Sequence, residues 1–342
     1  MGGKRSFNGV SKIFFVTDCS LKRDGPMKLS NLFPIHLKKQ ELAMLKKIKK
    51  VMIGFLAVLG GLAILSGVAV GVLYWIGQTH LPDRILLEAD FQGPYAEHLP
   101  NDSVAQVFLA RKPVIRDVVE ALETASGDER VKGLLARIGN VQMGMAHIQE
   151  IRNAVTAFRK TGKPAIAFAD TFGELTPGNG GYYLATAFDE IYIQPSGDVG
   201  LTGLMSRSAF VAGTLEKLEI EPRLDHRKEY KSYMNMFTET EYTAPHREAV
   251  SAVLNSMFDQ MVRAIAEARG LSEDAVRERV DRGPFIGKEA LDAKLVDGLF
   301  YWDEAEDKIQ ERLGEDLDGY RLSTYLRRAG RPHADGETIA LI

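Results

Sequence analysis

The sequence predicts an α/β protein, and three observations carry that prediction. Short apolar runs of strand length alternate with stretches of helical periodicity. One helix separates each pair of runs, which means parallel pairing through right-handed crossovers. Glycine or proline closes the helical stretches, as at Gly127, Gly162 and Pro164.

In chain order, Ile85–Glu88 is the first strand. Val114, Ile115, Val118, Val119 and Leu122 mark one face of a helix that Gly127 stops. Lys132–Ile138 is the second strand. Ile148, Ile151, Val155 and Phe158 line the next helix, which ends before Gly162 and Pro164. Ala165–Ala169 and Glu190–Gln194 are further buried strands, with a short helix over Gly181–Ala187 between them. A long helix is expected over Ala244–Ala268, with Val250, Val253, Leu254, Met257, Met261 and Ile265 on one face. Its methionines read as core packing. Ser272 then caps a helix that runs through Val280, with Glu273 and Asp274 in its first turn.

Ahead of this body lies Val51–Ile76, about 26 residues without a charge, longer at 1.5 Å per residue than the roughly 30 Å hydrocarbon layer needs. A transmembrane helix is expected at 51–76, with Tyr74 and Trp75 at its outer end. Lys46, Lys47, Lys49 and Lys50 precede it, which keeps the N-terminus cytoplasmic and turns the body outward. Residues 1–50 hold twelve Lys/Arg against three Asp/Glu, a net of +9, while the whole chain of 342 residues carries −3. A basic head on an acidic body suits a membrane surface, and no basic stripe with interleaved aromatics supports nucleic-acid binding. Residues 1–43 read as a basic extension, and Met44 is an alternative start. The single Cys19 excludes a disulfide framework within one chain. The seven histidines have no metal-ligand spacing, so neither metal nor cofactor is expected. At the other end, 327–336 is a polar linker and 337–342 opens an apolar strand, read as the stump of a second domain.

Two stretches carry chemistry. Gly178-Asn179-Gly180-Gly181 precedes Tyr182–Ala187, a tight turn at a helix start. There, glycine N–H groups can approach a substrate and cradle an oxyanion. Without a Gly-Lys-Ser/Thr ending it is a poor phosphate loop. Downstream stands Glu229-Tyr230-Lys231-Ser232-Tyr233. Arg227 and Lys228 lie upstream, and Tyr230, Tyr233, Met234 and Phe237 are apolar neighbours. A lysine so placed is either a solvated loop residue or a base freed of its proton by desolvation and nearby cations. Ser206, Ser208 and Ser232 stand as candidate nucleophiles within the chain.

These residues resemble peptidase family S49, the signal peptide peptidase A type of membrane serine peptidase. Gly162-Lys163-Pro164, Pro195–Gly203, Lys288-Glu289-Ala290-Leu291 and Leu295-Val296-Asp297-Gly298 support the resemblance in order and spacing. It implies a crotonase/ClpP-like fold of stacked ββα units in a domain at 83–326, and Lys231 as general base of a Ser/Lys dyad. A serine belongs at 179, where this chain has Asn. The long form of the family has two tandem halves, with the lysine in the first, so the chain resembles a lysine-bearing half. Gly139-Asn140-Val141-Gln142-Met143 stands where serine-bearing repeats have a Pro-Gly-Gly oxyanion loop. The resemblance further implies peptide substrates (signal peptide remnants), a place on the outer face of the bacterial cytoplasmic membrane, and a ring-like homo-oligomer such as a tetramer. Two rivals share the fold: a catalytically inactive membrane-tethered scaffold, and a crotonase-type acyl-CoA enzyme, which suits an outward-facing body badly.

Overall fold

The computed structural model describes residues 39–97, 113–174, 177–314 and 317–333. The extension before Lys39 and the apolar strand expected at 337–342 lie outside the described residues.

One helix, Lys39–Thr79, contains the whole uncharged run. Its Met44–Val72 stretch is long and apolar enough to cross a membrane, and its side chains are exposed. The helix runs through Thr79, so the connection to the body begins at His80.

The body is an α/β unit built on a six-stranded parallel sheet. Its strands are β1 (Ile85–Asp90), β3 (Val131–Ile138), β5 (Ala165–Ala169), β6 (Glu190–Ile193), β9 (Gly298–Leu299) and β10 (Asp318–Arg321), in the order β10-β1-β3-β5-β6-β9. Every pairing is parallel. Short strands interleave with these long ones: β2 (Gly93–Pro94), β4 (Val141–Gln142), β7 (Asp198–Val199) and β8 (Phe285–Ile286). β2 pairs with β4, and Phe172 bridges Val199. Long strand, short strand, helix thus repeats: β1, β2 and Ile115–Gly127; β3, β4 and Met145–Arg159; β5, the Phe172 bridge and Asn179–Ala185. These are the expected stacked ββα units.

Strand alternation sends β1 and β3 side chains to two different cores. Leu87, Ala89, Leu134, Ala136 and Ile138 face the large one, shared with the helices. Leu86, Leu135, Ile166 and Phe168 face the other, closed by the helix Trp302–Leu313 through Ala305 and Ile309. Ile148, Ile151, Val155 and Phe158 are the buried residues of their helix, as the 3.6-residue period requires.

The helix Ala244–Arg269 departs from expectation. Of its six apolar stripe residues only Met261 and Ile265 are buried, and Val253 is 60% exposed. The first half of the stripe covers no core in the single chain. Among the features that escaped the periodicity reading are the helix Trp302–Leu313, β10, whose Asp-Gly-Tyr-Arg sequence is that of a polar edge strand, and the helix Leu322–Ala329, which takes in Arg327 and Arg328.

Candidate functional site

The turn before Asn179–Ala185 is fixed by close backbone packing. Gly178 N donates to Gly200 O at 2.9 Å, and Gly200 N donates to Phe172 O at 2.7 Å. A Cβ on Gly178 would collide with the Phe172 carbonyl oxygen, and one on Gly181 with the Gly139 carbonyl oxygen. Only glycine fits either position.

Asn179 is 4% exposed, and both ends of its amide are hydrogen-bonded. Nδ2 donates to Gly203 O at 2.8 Å, while Oδ1 accepts from Thr202 N at 3.1 Å and Gly203 N at 3.2 Å. An amide is no nucleophile, and this one clamps the segment that follows β7. Gly139, where the family's oxyanion loop is expected, places its carbonyl against Gly181 and accepts from Val141 N at 3.1 Å.

From the clamp, residues 200–243 run out as an arm with two short helices, Ala212–Lys217 and Asn235–Thr238. Lys231 lies on this arm and is exposed; its backbone N donates to Lys228 O at 3.3 Å. Lys228 adopts the left-handed conformation at φ 62°. The Lys231 amine makes no ion pair or hydrogen bond with the described residues.

Lys231 lines a groove of about 750 Å³ together with Arg207, Ser208, Ser232, Tyr233 and Met236. Tyr230 and Met234 also line it, as expected, whereas Phe237 lines a separate groove of about 610 Å³ beside Glu216 and Glu219. Ser206 lines neither. Ser208 Oγ accepts from the Tyr242 hydroxyl at 2.7 Å, and no described group accepts its proton. Tyr242 packs on His246 with ring centroids 4.7 Å apart and on Phe210 at 5.2 Å. His246, another wall residue, buries its Nδ1 without a hydrogen-bond partner. Tyr230 donates to Glu248 at 2.9 Å, and that bond pushes its phenol upward.

Sequence reasoning missed Arg207, Tyr242 and His246. A signal was present for His246: Thr243-Ala244-Pro245 is a helix start, and Thr243 Oγ1 accepts from His246 N at 3.4 Å. No hydrogen bond joins Lys231 to Asn179. The turn holds the foot of the arm, and the lysine stands further along it. Among the described residues no group of three or more His, Cys, Asp or Glu could hold a metal ion.

Comparison with known proteins places the turn and the arm in one matched stretch. The model of peptidase family S49 matches residues 157–315. The chain is 26% identical over 194 residues to the chloroplastic serine protease SPPA of Arabidopsis thaliana, covering 57% of this chain and 28% of that protein. It is 29% identical over 167 residues to protease 4 of Haemophilus influenzae, covering 48% and 26%. The chain therefore spans little more than a quarter of the length of these relatives. Among solved structures, a 1510-N membrane-bound stomatin-specific protease matches with a TM-score of 0.37 and 11% identity, over 67% of this chain and 81% of that one.

Proposed function

We propose, from the match of residues 157–315 to peptidase family S49 and the similarity to serine proteases of the signal peptide peptidase A type, that the chain is the lysine-bearing part of a membrane-anchored serine peptidase. Lys231 acts as general base towards a serine that another stretch of polypeptide brings to the groove. The observation that carries this reading is the division between turn and arm. Asn179 stands in a glycine turn with both ends of its amide hydrogen-bonded, while Lys231 is unengaged by the described residues in a groove of about 750 Å³. The helix Lys39–Thr79 anchors the enzyme, with its lysines on the cytoplasmic side and the body outside. The substrates are peptides, among them signal peptide remnants. Copies associate in a ring through the exposed apolar residues of the arm, which include Met205, Leu218 and Tyr233.

The purified chain alone hydrolyses no peptide. In a protein completed with the serine-bearing polypeptide, Lys231→Ala lowers turnover of a fluorogenic peptide by about 10²–10⁴, the usual worth of a general base. Unchanged turnover would sink the assignment. The inactive scaffold remains the second reading, because Asn179 leaves this turn without a nucleophile. Failure of every serine-bearing partner to restore turnover would select it.

A further inference from the structure

Resting on the reading that Lys231 faces the reacting bond, we propose that Arg207 makes the groove selective for peptides that end in a free α-carboxylate. Arg207 lines the groove and makes no hydrogen bond or ion pair with the described residues. No carboxylate lines the groove, and the nearby Glu248 is bonded to the Tyr230 hydroxyl at 2.9 Å. A guanidinium keeps its charge and presents a planar fork of donors that matches a carboxylate through two parallel bonds.

A second donor stands beside it. Ser208 Oγ already accepts from Tyr242 at 2.7 Å, so its own proton is free to be donated. Tyr233, Met234 and Met236 supply apolar walls, and thioether side chains adapt to varied apolar partners. The His246 Nδ1, buried and unbonded on the same wall, is a polar atom for which none of the described residues supplies a partner. The groove thus offers an anion site next to an apolar bed.

A chain end fits this arrangement better than an internal Asp or Glu. An internal acid carries backbone away in two directions, and its peptide groups would need partners that the apolar walls lack. A terminal residue brings one peptide strand only, with its carboxylate on the guanidinium and its side chain among the methionines.

Binding, not turnover, tests the proposal, so its failure is read apart from that of the preceding reading, which turnover of the Lys231→Ala protein decides. The full chain in neutral-lipid nanodiscs is titrated into a fluorescein-labelled apolar decapeptide with a free carboxylate, and into its C-terminal amide. The acid form should bind about tenfold tighter, as a charge-assisted pair provides. Arg207→Gln should bring the acid down to the affinity of the amide and leave the amide unchanged. Arg207→Lys should keep part of the preference, which separates lost charge from lost fold. Equal binding of the two peptides overturns the proposal, as does a preference that survives Arg207→Gln. An amidated peptide with one internal Asp that binds as tightly as the acid overturns the chain-end assignment.

Discussion

Asn179 is 4% exposed and bonds through both ends of its amide to Thr202 and Gly203, whereas Tyr233, further along the arm, is 84% exposed. Both lie within the stretch that matches the family, and they satisfy their chemistry in opposite ways. At the turn both ends of the Asn179 amide and the Gly178 and Gly200 N–H groups find partners inside the chain, and a side chain at Gly178 or Gly181 would meet backbone. On the arm, Lys231 and Arg207 lack partners among the described residues, and Leu218, Ile220, Leu224 and Tyr233 face outward. A region complete in itself is built to hold shape; one with unspent donors and apolar surface is built to meet another molecule. Substitutions that test this contrast should act on stability at the turn and on association at the arm.

The largest effect belongs to Gly181. A side chain there meets the Gly139 carbonyl oxygen, and backbone cannot step aside as a flexible side chain can. Gly181→Val should destabilise the body by about 3 kcal/mol or more, as overpacking against fixed atoms does. Urea unfolding followed by tryptophan fluorescence measures it, since Trp302 packs edge-on against Phe168 at 5.5 Å in the second core. A loss under 1 kcal/mol would mean that the turn is slack and the contrast with the arm unfounded.

Asn179→Ala comes next. It removes one donor and the acceptor of two backbone N–H groups, at a cost of about 1–3 kcal/mol. Asn179→Ser, which puts a hydroxyl where the resemblance expects the nucleophile, should create no turnover in this chain alone, because Lys231 makes no hydrogen bond to that position. Peptide hydrolysis by that variant alone would show the turn to be a working site with one residue changed.

How far these features were legible follows the same division. The ββα order, the four buried residues of Met145–Arg159 and the glycine turn could be read because burial imposes a period and a backbone approach imposes glycine. The stripe Val250–Met257 carries the same period, yet Val253 is exposed and the others are only half-buried, since periodicity reports an apolar face and not what covers it. β10 was missed because an edge strand keeps polar residues. The groove at Lys231 was half legible. Its own segment supplied Tyr230, Tyr233 and Met234, but Arg207 and His246 reach it from 24 and 15 positions away in sequence. No spacing rule joins positions that only an irregular arm brings together.

A smaller effect is expected away from both regions, at Asp128. Arg130 bonds its carboxylate at 2.8 Å and Tyr325 donates to it at 2.9 Å. The Arg130 bond, against opposing burial and with help from Tyr325, holds the carboxyl at about 2. A carboxyl depressed below its unfolded value of about 3.9 contributes stability that is present above that value. The contribution fades as pH falls from about 4 through 2. The melting temperature of the wild type should therefore converge on that of Asp128→Asn across this window. A gap that stays constant down to pH 2 would contradict the pairing.

The smallest effect on stability is expected at Tyr233, and there the contrast can be broken most directly. An 84% exposed side chain contributes little to the single chain, so Tyr233→Ser should change stability by no more than about 0.5 kcal/mol. If copies meet through the arm, the same change removes a large aromatic anchor from their interface and should weaken association by about 2 kcal/mol, roughly thirtyfold in dissociation constant. Light scattering of the detergent-solubilised chain over a concentration series reads that shift beside the unchanged melting temperature. A melting temperature lowered by several degrees with association intact would make the arm part of the folded core, and the exposed groove around Lys231 would then have no partner to wait for.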